Sequence, residues 1–276
     1  MNAILTMAAK EIREASRNRW VMAITVLLAG LALSLSFLGS APTGTVGVSS
    51  LEVTIVSLAS LTIFLLPLIA LLLGFDAIVG ENERGTLLLL LTYPLSRPQL
   101  LIGKFLGHAA VLCFATVVGY SIAGVAVGLR EAELSTSAIQ AFGALIGSSV
   151  LLGCAFLALG YLVSVLARDR GAAAGAAVGI WFFFVLLYDM AVLGALVADQ
   201  GRFLSKATIS ALLLFNPADA YRLLNLTVFP TVSRLAGMAG VSAEVSLAPW
   251  AFLAALVAWI AAPLIAAIIL FSRSDR

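Results

Sequence analysis

The chain has 276 residues, 62% of them hydrophobic and 11% charged, with a formal net charge of +2. Soluble domains carry about 25% charged residues, so a water-surrounded globule is excluded, and so small a net charge gives no reason to expect a nucleic-acid partner. Long uncharged runs instead make this an all-α, multi-pass membrane protein, read as a single transmembrane domain over 1–276.

In chain order, the first element is a charged lead-in of nearly twenty residues, too long and followed by too long an apolar run for a cleaved signal peptide. Ile4, Ala8, Ile12 and Ala15 fall on one helical face, and Lys10, Arg13, Glu14 and Arg17 fall on the opposite one. This spacing predicts an amphipathic helix over 1–19, lying on the inner membrane surface. Six spans follow, at 20–39, 53–79, 105–129, 138–167, 172–198 and 250–271. Each is long enough to cross a hydrocarbon core of about 30 Å at about 1.5 Å per residue. The longer ones tilt or project, and the end of the second, with Asp76 before Glu81, is expected to project into water.

Orientation follows from Lys and Arg. With the N-terminus inside, the inner side holds Lys10, Arg13, Arg17, Arg19, Arg84, Arg97, Lys104, Arg168, Arg170, Arg273 and Arg276. The outer side keeps Arg130, Arg202, Lys206, Arg222 and Arg234, mostly in one long segment that weighs little in this rule. Both termini are expected in the cytoplasm.

Between spans two and three lies a polar break, 80–104. Ser96, Arg97, Pro98 and Gln99 match a capping box, with Pro98 tolerated in a first turn, so a helix is predicted to start at Arg97 and run into span three. Gly85 and Thr86 precede Leu87 to Leu91, too few leucines to cross a membrane. They suit a short helix lying along the inner face or wedged between protein surfaces, ended by Pro94.

His108 lies about one turn into span three and reads as a satisfied or snorkelling histidine. Cys113 and Cys154 lie in apolar runs and read as small packing residues. In span five, Gly171, Gly175 and Gly179 recur every fourth residue, a face that a neighbouring backbone can approach closely, in the same subunit or in a dimer mate. Asp189 follows in the same span. At that depth it lines a path, pairs with a polar group or is held neutral near the outer interface. The outer segment 199–249 is too long for a plain connector. Asn216 reads as an N-cap with Pro217 at the first helical position. The segment is either a lid on the bundle or a docking platform for a protein on the outer side, with Asn216, Asp219, Tyr221 and Arg222 as the docking residues.

Glu81, Gly85-Thr86-Leu87, Pro94, Ser96-Arg97 and Gly103-Lys104 together resemble the permease subunits of ABC-2 type transporters. The resemblance covers the whole chain through the six-span layout and the N-terminal surface helix. It implies the ABC-2 permease fold and makes 80–104 a coupling hairpin that docks on a cytoplasmic ATPase, with Glu81, Glu83, Arg84, Gly85, Thr86, Ser96 and Arg97 as the coupling residues. The stretch 1–20, the hairpin and Asn216 to Arg222 further resemble permeases of copper-processing systems for nitrous-oxide reductase maturation. That implies a homodimer, a paired ATPase homodimer carrying ATP and Mg, and a NosD-like periplasmic partner.

The chain lacks a Gly-x-x-x-x-Gly-Lys-Ser/Thr loop, so ATP hydrolysis is expected in another subunit and this chain is not expected to be an enzyme. It has no His-Glu-x-x-His and no Cys-x-x-Cys, and its single histidine excludes a bis-histidine haem within one chain. Met22, His108, Cys113, Cys154 and Met190 are scattered without paired spacing, so no metal site is expected and transmitted motion is favoured over copper passage. The alternatives are an ABC-2 exporter of a lipid, polysaccharide, drug or peptide, a proton-coupled secondary transporter using Asp189, an intramembrane enzyme for which no motif exists, and a non-transporting assembly factor.

Overall fold

The computed structural model describes residues 3–17, 19–39, 50–129, 136–199, 205–228 and 247–273. Among these, every regular element is helical: α1 (Ala3–Arg17), α2 (Arg19–Gly39), α3 (Ser50–Gly74), α4 (Val79–Glu83), α5 (Thr86–Leu91), α6 (Arg97–Gly128), α7 (Thr136–Leu166), α8 (Arg170–Phe182), a π-helical turn (Phe183–Leu187), α9 (Tyr188–Asp199), α10 (Lys206–Leu214), α11 (Pro217–Val228) and α12 (Pro249–Arg273).

Five stretches are long and apolar enough to cross a membrane: Ser57–Glu83, Arg97–Ala126, Ile139–Leu166, Arg170–Asp199 and Pro249–Arg273. The first expected span is the 21-residue helix α2, whose described apolar part is the shorter Ala23–Ser34. Of the basic residues assigned to the outer side, Arg130, Arg202 and Arg234 lie outside the described residues, as do 200–204 and 229–246 of the long outer segment.

Helix α7 is the hub. It packs against α3, α12, α6, α11 and α8, while α6 carries α1 and α2 on its other side. Phe156, Leu157, Ala158 and Tyr161 of α7 are fully buried, as a helix apolar all round must be when protein surrounds it.

Two expected spans are interrupted. Helix α3 ends at Gly74 rather than Val79, and after a turn α4 restarts at an angle set by α7: Ser164 Oγ accepts from Ile78 N–H at 2.9 Å and Val79 N–H at 3.1 Å. A side chain from a neighbouring helix thereby satisfies amides that a helix start leaves open. Span five is broken by the π turn, whose wide ring disturbs the regular carbonyl ladder. Asn216 Nδ2 donates to the carbonyl of Phe184 there, at 2.9 Å.

Helices α10 and α11 form a hairpin whose second helix packs on α12, α7 and α3. Its tip is held by residues midway along their own helices: Phe184, and Trp259 Nε1 of α12, which donates to Leu214 O at 3.3 Å. Asn216 Oδ1 accepts from Ala218 N–H at 2.9 Å, so the expected N-cap is present. Farther along, Tyr221 OH meets Ser149 Oγ at 3.1 Å, and Asn225 Nδ2 donates to Ser148 Oγ at 3.1 Å.

Candidate functional site

Charges gather at the end of the bundle where α1, the 80–104 hairpin, the α7–α8 junction and the last turn of α12 meet. At its centre Lys104, 3% exposed, is buried with Glu11 and Glu81. Its Nζ donates to Glu11 Oε1 at 2.8 Å and to Glu81 Oε1 at 3.1 Å. One turn along α6, His108 Nε2 lies 3.3 Å from Glu11 Oε2, and His108 Nδ1 meets Tyr161 OH at 2.8 Å. An imidazole protonated on Nε2 satisfies both contacts, with Tyr161 donating to Nδ1. Thr86 Oγ1 donates to the Glu81 carbonyl at 3.2 Å and to its carboxylate. One network thus joins α1, α4, α5, α6 and α7.

Two glycines let α1 come this close. A Cβ on Gly103 would lie 2.6 Å from Met7 Cβ, and one on Gly107 would lie 2.5 Å from Glu11 Cβ. Gly103, Gly107, Lys104 and His108 are i, i+4 pairs, so one face of α6 both admits α1 and binds its carboxylate. Burial by itself would raise the Glu11 carboxyl's affinity for a proton. The hydrogen bond from His108 and the Lys104 charge more than reverse this and hold it well below the usual carboxylate range.

Sequence reasoning did not single out Glu11. The available signal was an acid on the Ile4–Ala8–Ile12–Ala15 side of the wheel, with a lone lysine and the lone histidine one turn apart at the start of a span. Helix α1 is amphipathic as expected, but much of its apolar face packs on α6. Met7, Ala8 and Glu11 are buried, while Leu5 and Ile12 remain exposed.

The hairpin folds on local signals. Ser96 N–H donates to Gln99 Oε1 at 3.0 Å and Gln99 N–H to Ser96 Oγ at 3.4 Å, which forms the expected capping box. Gly85 has φ 70°, the left-handed conformation that reverses the chain between α4 and α5 at little cost only for glycine. Most of the side chains singled out for coupling make contacts within the chain, although Glu83, Arg84 and Ser96 remain exposed. Besides Glu81, Glu83 Oε1 accepts from Arg170 N–H at 2.7 Å. Arg84 lies 3.5 Å from Asp76, which Arg170 also grips through Nε at 2.7 Å. Arg97 NH1 donates to Phe271 O at 3.2 Å, with its guanidinium 5.5 Å from that ring's centre. These contacts brace the hairpin against α6, α8 and α12. An apolar patch stands out on the exposed surface: Leu88, Leu89 and Tyr93 are each about two-thirds exposed, while Leu87 anchors α5 in the core.

A second ion cluster holds the α10–α11 hairpin. Arg222 NH2 meets Asp189 Oδ2 and its NH1 meets Asp219 Oδ1, both at 2.7 Å. Asn216 Nδ2 also donates to Asp219 Oδ2 at 3.0 Å. Asp189 is thus paired, one of the readings left open. Asn216, Asp219 and Tyr221 are buried at 0–2% exposure, which corrects their expected place on a periplasmic docking surface. Each of their polar atoms serves the packing of α11, and of the four residues only Arg222 keeps partial exposure.

The glycines of span five point away from the chain. Among the described residues, no atom lies within 4 Å of a Cβ built on Gly175 or Gly179, and Gly171 meets its own capping residue Asp169. The opposite face, through Ala173 and Ala177, is fully buried. Among the described residues, nothing in the same subunit packs on the glycine face. Among the described residues no group of three or more His, Cys, Asp or Glu is placed to hold a metal ion.

The family model described as "ABC-2 family transporter protein" matches residues 5–276. The chain is 47% identical over 274 residues to the "Probable ABC transporter permease protein NosY" of Pseudomonas aeruginosa, with 99% of each covered. It is 43% identical over 274 residues to the protein of that name from Stutzerimonas stutzeri, again with 99% of each covered.

Proposed function

Because the chain belongs to the ABC-2 family of transporter proteins, we propose that it is the permease subunit of a copper-processing ABC system, working as a homodimer that takes the stroke of a separate cytoplasmic ATPase through α5. In this reading six spans cross the bacterial inner membrane, both termini are cytoplasmic, ATP and Mg belong to the ATPase, and a NosD-like protein is engaged on the periplasmic side. The near full-length match of the two relatives supports the permease assignment; the copper assignment rests on the resemblance of 1–20, the hairpin and Asn216 to Arg222 to permeases of copper-processing systems.

The single observation that carries the coupling reading is an exposed apolar tip on a braced base. Leu88, Leu89 and Tyr93 offer the kind of surface that a protein partner buries. Behind them, Thr86 is bonded to Glu81, and Glu81 to Lys104 in the first turns of the long helix α6. A push on α5 is passed through these short polar contacts to α6 and, by way of Glu11, to α1. Polar contacts suit this task because they are directional and break at small displacements.

Motion rather than conduction suits the rest of the bundle. The α10–α11 hairpin packs through α11 on α7, α12 and α3, and the π turn beside it is a place where a helix can bend. The open face through Gly175 and Gly179 is assigned to the second copy.

The test is co-purification of the ATPase with the Leu88→Asp/Leu89→Asp variant. Loss of the complex with an unchanged melting temperature of the permease supports the reading, and retention of the complex overturns it. Copper loading of the reductase in the same strain separates this cargo from a lipid, polysaccharide, drug or peptide. Gly175→Leu should disrupt the dimer if that face is the interface.

A further inference from the structure

We propose that α1, α2 and α6 form a binding site for one anionic glycerophospholipid, with an acyl chain in the groove between the three helices and the head group on Arg13 and Arg17. The groove has a volume of about 460 Å³ and is lined by Ile12, Thr25, Val26, Ala110, Val111 and Phe114. Its walls are overwhelmingly apolar, and Ile12, Val26 and Phe114 remain 42%, 64% and 60% exposed. A concave apolar site of this size, open at the side of a membrane-spanning bundle, faces hydrocarbon and admits a chain.

Charge selects the occupant. On α1, Lys10 is spoken for by Glu14 at 3.0 Å and Glu11 at 3.5 Å. Arg13 and Arg17 are exposed, and among the described residues neither has an acidic partner. They follow Ile12 and Ser16, the groove residues of α1, by one position each, about 100° around the helix, on the adjoining surface that they share with Lys10 and Glu14. Ser16 Oγ donates back to the Arg13 carbonyl at 2.9 Å, so the one polar side chain of α1 in the groove is already satisfied. An apolar slot with two unpaired guanidiniums beside it fits a phosphodiester head group and its chain, and Arg grips phosphate in a fork. The same helix carries Glu11, so the lipid would help hold α1 against the Lys104 network. The site requires a bilayer but no partner subunit, so its test is independent of the ATPase reading.

The experiment uses the full chain in nanodiscs of equal parts phosphatidylglycerol and phosphatidylcholine with identical acyl chains, followed by native mass spectrometry of the lipid retained on release. Each arginine near a head group is worth about fivefold, so the pair predicts a preference for phosphatidylglycerol of about 25-fold. Arg13→Gln/Arg17→Gln should bring it to within about twofold, Arg13→Lys/Arg17→Lys should largely keep it, and Ala110→Trp should reduce retention of both lipids by filling the groove. Equal retention of the two lipids by the unaltered chain overturns the proposal, as does an unchanged preference in the glutamine variant. If the glutamine variant fails to fold, undiminished retention by Ala110→Trp overturns it instead.

Discussion

Lys104 and Glu11 meet at 2.8 Å across 93 positions of sequence, with both side chains almost wholly removed from solvent. Lys104 also serves Glu81, so one ammonium bonds the N-terminal helix and the hairpin at once. A buried cation holding two carboxylates is expensive to break on one side only. Lys104→Met leaves two facing carboxylates and should destabilise the protein by about 3–5 kcal/mol. The triple variant Glu11→Gln/Glu81→Gln/Lys104→Met should recover most of that loss, yet still fail to couple. Thermal unfolding in detergent and ATPase activity of the reconstituted complex check the two halves of this expectation.

The Glu11 contribution should fade in acid. Its carboxyl is held below the ordinary value of about 4.5, so the folded state binds fewer protons than the unfolded one. The stabilisation is complete above that ordinary value and is lost as pH falls through the lower folded value. The melting-temperature difference between the unaltered protein and Glu11→Gln should therefore be constant near neutrality and shrink below about pH 4.5. A difference that grows on acidification would contradict it.

Gly107→Val should displace α1. The added carbon would meet Glu11 Cβ at 2.5 Å, an overlap worth about 1–3 kcal/mol. Faster tryptic cleavage at Arg13 and Arg17 would report it. Gly175→Val, in open space, should leave the stability of the single chain within about 0.5 kcal/mol.

Arg222→Gln should loosen the α10–α11 hairpin, because Asp189 and Asp219 would then face each other without a cation. A loss of about 3 kcal/mol is expected, and Asp189→Asn in the same chain should restore part of it. Hydrogen exchange at the amides of α11 resolves this from global unfolding.

Much of the hairpin was legible because its signals are local. The Ser96–Gln99 capping box, Gly85 at the turn and the leucines of α5 lie within a few residues of their partners, so adjacent residues specify the geometry. Helix α1 was legible as amphipathic, but its seat was not. The period of a wheel shows which face is apolar, and it cannot show whether lipid or another helix covers that face. The placement of Glu11 was hidden for the same reason, since its partners lie on α6. Asn216 was correctly read as a cap. Its burial was missed because a polar, turn-forming segment on the outer side looks exposed until its hydrogen-bonding partners on α7, the π turn and α12 are seen.

Composition and periodicity alone determined that the chain is a helical membrane protein with a polar hairpin near its first third, because the cost of unpaired backbone in hydrocarbon leaves only helices for such runs. Tertiary structure alone decided which of its few charges meet. With so few ionisable groups in an apolar bundle, each buried one must find a partner. Lys104 found two, in helices far apart in sequence, and that pairing made the hairpin and the N-terminal helix one mechanical unit.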